Sequence, residues 1–146
     1  MEAAKPLLPS LIMVTALLCA PALADDAEWP LCHGGRRVTC VVDGDTLWNE
    51  GVKYRLLDID APESSYDKAR CGNERQRAAE ATQLLQRLLR SGIVSMRQHG
   101  QDRYGRNLVT IDTSLGDVST VLLNAELAVP FGDKRLTRRW CTLGGQ

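Results

Sequence analysis

Carboxylates and an arginine lie close to two apolar runs between residues 41 and 63. The segment reads VVDGDTLWNEGVKYRLLDIDAPE, and the side chains of interest in it are Asp43, Asp45, Arg55, Asp60 and Glu63. Asp is disfavoured in strands, and burying an anion is costly unless it has a partner. A hard cation together with a phosphate would supply partners, because oxygen ligands suit calcium or magnesium and arginine suits phosphate. The pattern therefore predicts a cation-assisted phosphate site.

A third charged cluster lies further along the chain, at residues 102–106 (DRYGR). Gly105 permits a tight turn there, so Arg106 can be aimed away from the direction of its strand. Taken alone, the segment is also typical of an ordinary polar hairpin, just as a single Asp at a strand end often caps local backbone. The joint occurrence of the clusters favours a functional site, because antiparallel pairing across a turn would bring Asp45 and Asp60 together.

The spacing of Arg55 and Asp60 sets a condition on the backbone between them. Side chains alternate between the two faces of a strand, so an unbroken strand over 52–59 would direct these two residues to opposite faces. A shared site requires them on one side. We therefore predict a bulge or an early strand end between Arg55 and Asp60.

Strand-like segments bounded by turn residues predict five strands. They are 36–42, 46–49, 52–59, 93–97 and 108–111, with a turn at 49–51 and a polar connection at 98–107. Three strands, a helix, two strands and a second helix fit an α+β fold, a five-stranded OB-fold barrel with flanking helices.

Two helices are predicted from apolar residues at helical spacing. The first is capped by Asn73, with Gln76 in the capping-box position, and ends at Ser91 and Gly92. Its apolar stripe consists of Ala78, Ala81, Leu84, Leu85 and Leu88. The second covers 117–128 and stops before Pro130. Its inward residues are predicted to be Val118, Val121, Leu122 and Ala125.

Residues 1–24 have the pattern of a secretory signal peptide. Lys5 precedes a mostly apolar stretch at 7–20, and the small residues Ala22 and Ala24 follow it, so cleavage after Ala24 is favoured over a membrane span. We expect the remaining domain, 25–146, to be exported, either periplasmic or secreted, with no membrane attachment after cleavage.

The exported domain would retain an even number of cysteines, namely Cys32, Cys40, Cys71 and Cys141. An even count in a small exported domain predicts two disulfides, for which three pairings exist. Cys32 and Cys40 bracket a glycine-containing segment that can reverse direction, so a local bridge between them is feasible. The second bridge would then join Cys71 to Cys141.

The charge balance limits the kind of nucleic-acid binding that this chain could perform. It has 18 basic and 18 acidic residues, and removal of Glu2 and Lys5 with the signal peptide keeps the net charge at zero. A tight general nucleic-acid binder is usually basic overall. We therefore expect local, transient phosphate contacts by a monomer rather than the binding of a high-affinity coat protein.

Three segments, VVDGDTLW, YRLLDIDAPE and DRYGRNLV, together resemble the thermonuclease family, whose type member is staphylococcal nuclease. They occur in the family order, with a helix between the second and the third, and the resemblance spans about 37–131. It implies an oligonucleotide-binding barrel and calcium-dependent hydrolysis of DNA and RNA to 3′-phosphate ends.

The resemblance implies a calcium site. Asp45 and Asp60 match the two calcium-ligating aspartates of the family. Ala61 stands where the family offers a backbone carbonyl to the ion, so its side chain need not matter. Asp43 matches a carboxylate that lies next to the calcium ligands without binding the ion itself.

The resemblance also implies catalytic and substrate-binding roles. Arg55 and Arg106 match the two arginines that clamp the phosphate, and Glu63 matches the general base. Arg103 and Tyr104 fall where the family contacts the bound nucleotide.

Two departures from the type member affect the expected substrate range. The loop at 64–72 is shorter, and the last helix of the family is expected to be missing, with a tail at 132–146 in its place that carries Cys141. Two other functions stay open. One is a non-catalytic nucleic-acid-binding module of the OB type, and the other is a calcium- or anion-binding exported protein. The sequence does not decide between DNA and RNA, or between endonuclease and exonuclease action.

Overall fold

The computed structural model describes residues 28–35 and 37–142. The predicted signal peptide therefore lies outside the described residues. Eight short strands and three helices follow one another along the described chain. The strands are β1 (Cys40–Val41), β2 (Thr46–Asn49), β3 (Val52–Leu56), β4 (Ile59–Asp60), β5 (Ile93–Gln101), β6 (Asn107–Thr113), β7 (Gly116–Asp117) and β8 (Val129–Pro130). The helices are α1 (Gly72–Arg90), α2 (Val118–Asn124) and α3 (Lys134–Thr142).

The main sheet has the strand order β1-β2-β3-β6-β5, with β7 paired to β6. Neighbouring strands are antiparallel except for β3 and β6, which are parallel. Helix α1 links β3 and β4 to the β5–β6 hairpin. Strands, a helix, further strands and a second helix follow one another along the chain as predicted for an OB-type barrel, and the α+β fold class is confirmed. β4 and β8 form a separate antiparallel pair beside the sheet.

Helix α1 supplies one side of the core. Its buried apolar residues include Ala81, Leu85, Leu88 and Leu89, which belong to one cluster with the sheet residues Val41, Leu47, Leu56, Val109 and Ile111. Residues three and four positions apart share a helix face, so this stripe can cover the sheet continuously. The predicted stripe is confirmed, except that Leu84 is only partly buried.

The predicted break between Arg55 and Asp60 is confirmed. β3 ends at Leu56, and Asp58 has a φ of 60°, in the left-handed region that turns favour. The chain then begins β4 at Ile59, which pairs with β8 instead of extending β3. The strand predicted over 52–59 is thus two strands joined by a turn, and the turn changes the direction in which Asp60 points.

Several predicted element boundaries were wrong. Helix α1 begins at Gly72 with Cys71 as its N-cap, so Asn73 is not the cap; its side-chain amide donates to the carbonyl oxygen of Trp140 at 2.5 Å. Helix α2 ends at Asn124, and Ala125, predicted to point inward, is exposed. Glu126 has a φ of 57°, which ends the helix so that Val129 can pair in β8.

The expectation that the last helix is missing was also wrong. Residues 134–142 form α3, whose N-terminus is capped by the Asp133 carboxylate through the backbone N–H groups of Arg135 and Leu136. Trp140 is buried against the rest of the molecule. No helix among the described residues combines the length and apolar character that crossing a membrane requires.

Two disulfides join Cys32 to Cys40 and Cys71 to Cys141, as expected from the sequence. The first closes a local loop with a sequence separation of 8, and the second spans a separation of 70. The second bridge ties α3 to the N-terminus of α1. It is therefore the covalent link that holds the C-terminal helix in place.

We predict that replacing Cys71 and Cys141 together with serine lowers the free energy of unfolding by about 4 kcal/mol, because a long loop is released in the unfolded chain. The serine at position 71 preserves an N-cap acceptor, so the loss reports the cross-link. The matched Cys32→Ser, Cys40→Ser variant should lose less, about 2.5 kcal/mol, since its loop is short. Urea denaturation of both variants measures the difference, and a larger loss at the 32–40 pair would contradict the prediction.

Candidate active site

The Asp45 carboxylate lies at the bottom of the site, in the tight connection between β1 and β2. It accepts three hydrogen bonds, from the Thr46 hydroxyl at 2.8 Å, from Arg55 Nη1 at 2.7 Å and from the backbone N–H of Ala61 at 2.9 Å. The last bond joins the first charged segment of the sequence to the second. An anion this deeply buried is stable only with such partners.

The Arg55 guanidinium lies between two carboxylates. Nη1 contacts Asp45, and Nη2 donates to Asp60 Oδ1 at 2.5 Å and to the carbonyl oxygen of Ile59 at 3.2 Å. The second Asp60 oxygen accepts the backbone N–H of Gly132 at 3.2 Å. Asp45 and Asp60 were predicted to come together. The structure holds them on either side of the Arg55 guanidinium.

Asp43 adds a third carboxylate behind this pair. Its Oδ1 accepts the backbone N–H of Asp45 at 3.2 Å. Burial and, secondly, the neighbouring charge of Asp45 together raise the pKa of Asp43 to about 6, against the lowering effect of hydrogen bonds from Asp45 and Thr46. The site therefore holds more negative charge than Arg55 alone can balance.

Arg106 is positioned by a turn built around Asp102. The Asp102 carboxylate accepts the backbone N–H groups of Tyr104 and Arg106 at 2.8 and 3.0 Å, and Arg106 Nε at 2.6 Å. Burial works to raise the pKa of Asp102, but these hydrogen bonds outweigh it and lower the pKa. Gly105 has a φ of 73°, which permits the reversal predicted there. The turn fixes Arg106 through Nε and leaves its terminal nitrogens directed elsewhere.

The predicted site residues line two adjoining depressions. The inner hollow has a volume of about 310 Å³, and the outer groove beside it about 1120 Å³. The inner hollow contains seven of the predicted residues: Asp43, Asp45, Arg55, Asp60, Ala61, Glu63 and Arg106. Arg103 and Tyr104, expected to contact a nucleotide, line only the outer groove. The Tyr104 ring is 68% exposed and has the Arg103 guanidinium 4.8 Å from its centroid.

Sequence reasoning missed several residues at the site. Lys68, like Glu63, lines both depressions, and the exposed ring of Phe131 lies in the outer groove, 5.9 Å from the Arg55 guanidinium. Thr137 and Trp140 bring α3 to the inner hollow. The tail at 132–146 carries four cations, which were the available signal for α3. The tail shows no helical period of apolar residues, so no helix was predicted there.

Glu74 is the most deeply buried of the missed residues, with only 1% of its surface exposed. Its carboxylate accepts three hydrogen bonds from Arg70, at 2.8, 3.0 and 3.1 Å. Burial works to raise the pKa of Glu74, but the bonds from Arg70 outweigh it and lower the pKa. Arg70 Nη2 also donates to the carbonyl oxygen of Thr137. Glu74 therefore fixes Arg70, which in turn holds α3 at the inner hollow.

The donor set fits a hard divalent cation. Asp45, Asp60 and Asp43 supply carboxylate oxygens within one partly buried cluster, and the single guanidinium of Arg55 leaves a net negative charge there. Carboxylate and carbonyl oxygens are the ligands that calcium takes. A second group of metal-ligating types, Cys71, Glu74 and Cys141, is unsuitable, because its two sulfur atoms are joined in a disulfide.

Gly44, between Asp43 and Asp45, has no room for a side chain. A Cβ placed there would lie 2.6 Å from the Cβ of Ala81 on α1 and 2.8 Å from the Cβ of Ala61. Neither neighbour is the end of a flexible side chain, so relief requires backbone movement. The glycine therefore allows the turn, α1 and Ala61 to meet.

We predict that Gly44→Ala lowers the free energy of unfolding by about 1–3 kcal/mol through overpacking. Gly34→Ala is the matched control, since a Cβ there meets nothing within 4 Å, and it should leave stability unchanged or slightly raised. Thermal unfolding of the two variants compares them. Equal stability of Gly44→Ala and the wild type would show that the turn can move without cost.

Comparison with known proteins agrees with this geometry. The profile described as "Staphylococcal nuclease homologue" matches residues 53–137, more than half of the 146-residue chain. Two curated relatives, each named "Uncharacterized endonuclease", come from Escherichia coli O157:H7 and Escherichia coli. Each is 36% identical over 89 residues, which cover 56% of this chain and 51% of the relative. The chain thus spans about half the length of the curated relatives it matches. On the extent of the profile match, the chain belongs to the staphylococcal nuclease homologue family.

Proposed function

We propose that this protein is a calcium-dependent nuclease that hydrolyses phosphodiester bonds in DNA, RNA or both. The observation that carries the proposal is the inner hollow, in which carboxylates, two arginines and Glu63 converge in a member of the staphylococcal nuclease homologue family. The name of the Escherichia coli relatives supports cleavage within the polymer.

Asp45, Asp60 and the backbone carbonyl of Ala61 would hold the calcium ion, with Asp43 behind them. Calcium, when bound, supplies a positive charge that polarises a phosphate oxygen and accepts water ligands at loose geometry. The ion would also offset the surplus of negative charge that Arg55 leaves in the cluster.

The two arginines would neutralise the phosphate. The Arg106 guanidinium lies 5.4 Å from the centre of the Tyr104 ring, and in the described part of the chain only its Nε donates a side-chain hydrogen bond to the protein, so both terminal nitrogens can donate to a phosphate. Arg55 keeps Nε and one N–H of Nη1 after its bonds to Asp45, Asp60 and Ile59. Forked donors aimed where negative charge grows on phosphorus stabilise the transition state.

Glu63 would accept a proton from the attacking water. Its side chain is exposed at the junction of the two depressions, so water and a phosphate can both approach it. A positioned carboxylate of this kind contributes as a general base.

The two disulfides support an exported location, because such bridges persist in oxidising compartments. Export through cleavage after Ala24, as the sequence predicts, would place the protein where calcium is roughly millimolar, the range in which weak extracellular calcium sites operate. We propose that it acts there as a monomer.

We predict that cleavage requires calcium and is poorly supported by magnesium, because magnesium demands near-octahedral geometry at short range and few protein ligands are offered here. Gel assays on plasmid, single-stranded DNA and RNA with calcium, magnesium or chelator test this. Asp60→Ala should weaken the metal first, so added calcium restores part of its rate. Full cleavage in chelator would eliminate the metal assignment.

We predict that Glu63→Gln lowers kcat by about 10²–10⁴-fold, because glutamine keeps the shape but cannot accept the proton. Calcium and nucleotide binding should stay nearly unchanged. Glu80→Gln on the exposed side of α1 is the matched control and should keep the wild-type rate. If Glu63→Gln cleaves as fast as the wild type, another group removes the proton.

A further inference from the structure

Helix α3 concentrates positive charge in a protein whose net charge is zero. Four of its nine residues are cations, Lys134, Arg135, Arg138 and Arg139, and it has no acidic residue. All four are exposed. In the described part of the chain their only ion pair joins Arg135 to Asp133 at 3.8 Å, with the Arg135 side chain 93% exposed. The charge of this face is therefore largely uncompensated.

The four cations share one face of the helix. At 100° per residue they fall within an arc of about 140°, and Trp140 lies opposite the centre of that arc. Trp140 is 3% exposed and packs inward, while Leu136 is partly buried on the same side. The cationic face, defined as Lys134, Arg135, Arg138 and Arg139, therefore points away from the protein interior.

This arrangement is unfavourable for the helix itself. Lys134 and Arg138, and Arg135 and Arg139, are like-charged pairs four residues apart, each costing roughly 0.2–0.5 kcal/mol. Lys134 and Arg135 also lie in the first turn, where the helix dipole disfavours cations, whereas Arg139 lies in the last turn, where the dipole favours them. Repulsion between the like-charged pairs lowers the stability of the helix, and an anionic partner would relieve it.

The position of α3 indicates which partner. Thr137, one turn from Lys134, lines the inner hollow. The helix is fixed there by the hydrogen bonds of Arg70 to Thr137 and of Asn73 to Trp140, and by the disulfide from Cys71 to Cys141. A polyanion that passes through the hollow would therefore reach the helix that carries the cationic face.

We infer that the cationic face of α3 binds phosphates of the polynucleotide outside the hollow and retains long substrates beside the site. The inference rests on the proposed function, and it adds an interaction surface to it. An anionic membrane is a less suitable partner, because a helix that inserts into an interface needs exposed apolar residues, and Leu136 and Trp140 turn inward.

The test compares the wild type with two variants of equal charge change. The first, Lys134→Gln, Arg138→Gln, Arg139→Gln, neutralises the face. The second, Arg37→Gln, Arg87→Gln, Arg97→Gln, removes three exposed cations that line neither depression. Binding of a fluorescent thirty-nucleotide single strand and of a trinucleotide is measured by anisotropy in chelator at several salt concentrations. KM for both lengths is then measured with calcium.

Loss of three single-strand phosphate contacts should reduce the salt slope for the long strand by about 2 and weaken its binding on the order of tenfold. KM for the long strand should rise by a similar factor. The kcat values for both lengths, and the affinity and KM for the trinucleotide, should stay unchanged. The control variant should resemble the wild type. The melting temperature of the first variant should equal or exceed that of the wild type, because like-charge repulsion is removed.

Equal long-strand binding by the first variant and the wild type would overturn the inference, as would equal losses in both variants or a lowered melting temperature. If the first variant no longer sediments with phosphatidylserine vesicles but still binds the long strand, the face is assigned to lipid. That result would also overturn the inference. A wild type that binds the long strand through α3 yet cleaves nothing with calcium would refute the proposed function alone.

Discussion

Arg55 lies between two carboxylates that would otherwise repel each other. Its contacts with Asp45 and Asp60 join the β1–β2 connection, β3 and β4, three segments that share no continuous strand. Removing charged groups from water costs several kcal/mol per ion, and the attraction repays this only with close geometry and further hydrogen bonds. The added bonds from Thr46, Ala61 and Gly132 meet that condition. The turn at Asp58 and the absence of a side chain at Gly44 follow from the same requirement.

A second acid–arginine pair joins the buried Glu74 carboxylate to the exposed Arg70 side chain, and both residues line the inner hollow. It connects the N-terminus of α1 to α3, because Arg70 also donates to the carbonyl oxygen of Thr137. Each pair therefore links chain segments that are distant in sequence through one charged residue. Glu63 follows the segment that Arg55 fixes and lines the same hollow.

The sequence predicted the features that depend on local spacing. Strands β2 and β3, the conflict between Arg55 and Asp60, and the turn at Gly105 were all readable, because each involves residues that are close together in the sequence. The start of α1 was not, since Cys71 acts as its cap while also being held by a disulfide to Cys141. Helix α3 was missed for a related reason. A nine-residue helix is marginal alone, and what stabilises it here is contact with α1 and the 70–74 segment. Such contacts leave no periodic pattern in the tail.

The distribution of charge explains how a chain of zero net charge could still handle a polyanion. The inner hollow combines carboxylates with the cations Arg55, Lys68, Arg70 and Arg106, whereas further cations lie in the outer groove at Arg103 and on the outer face of α3. Such a molecule has little long-range attraction for nucleic acid, and salt screens what remains beyond about 10 Å. Affinity must then come from short-range contacts that break as easily as they form. For an enzyme that must release its products, this balance is favourable, because uniformly tight binding of substrate and product would slow turnover without lowering the chemical barrier.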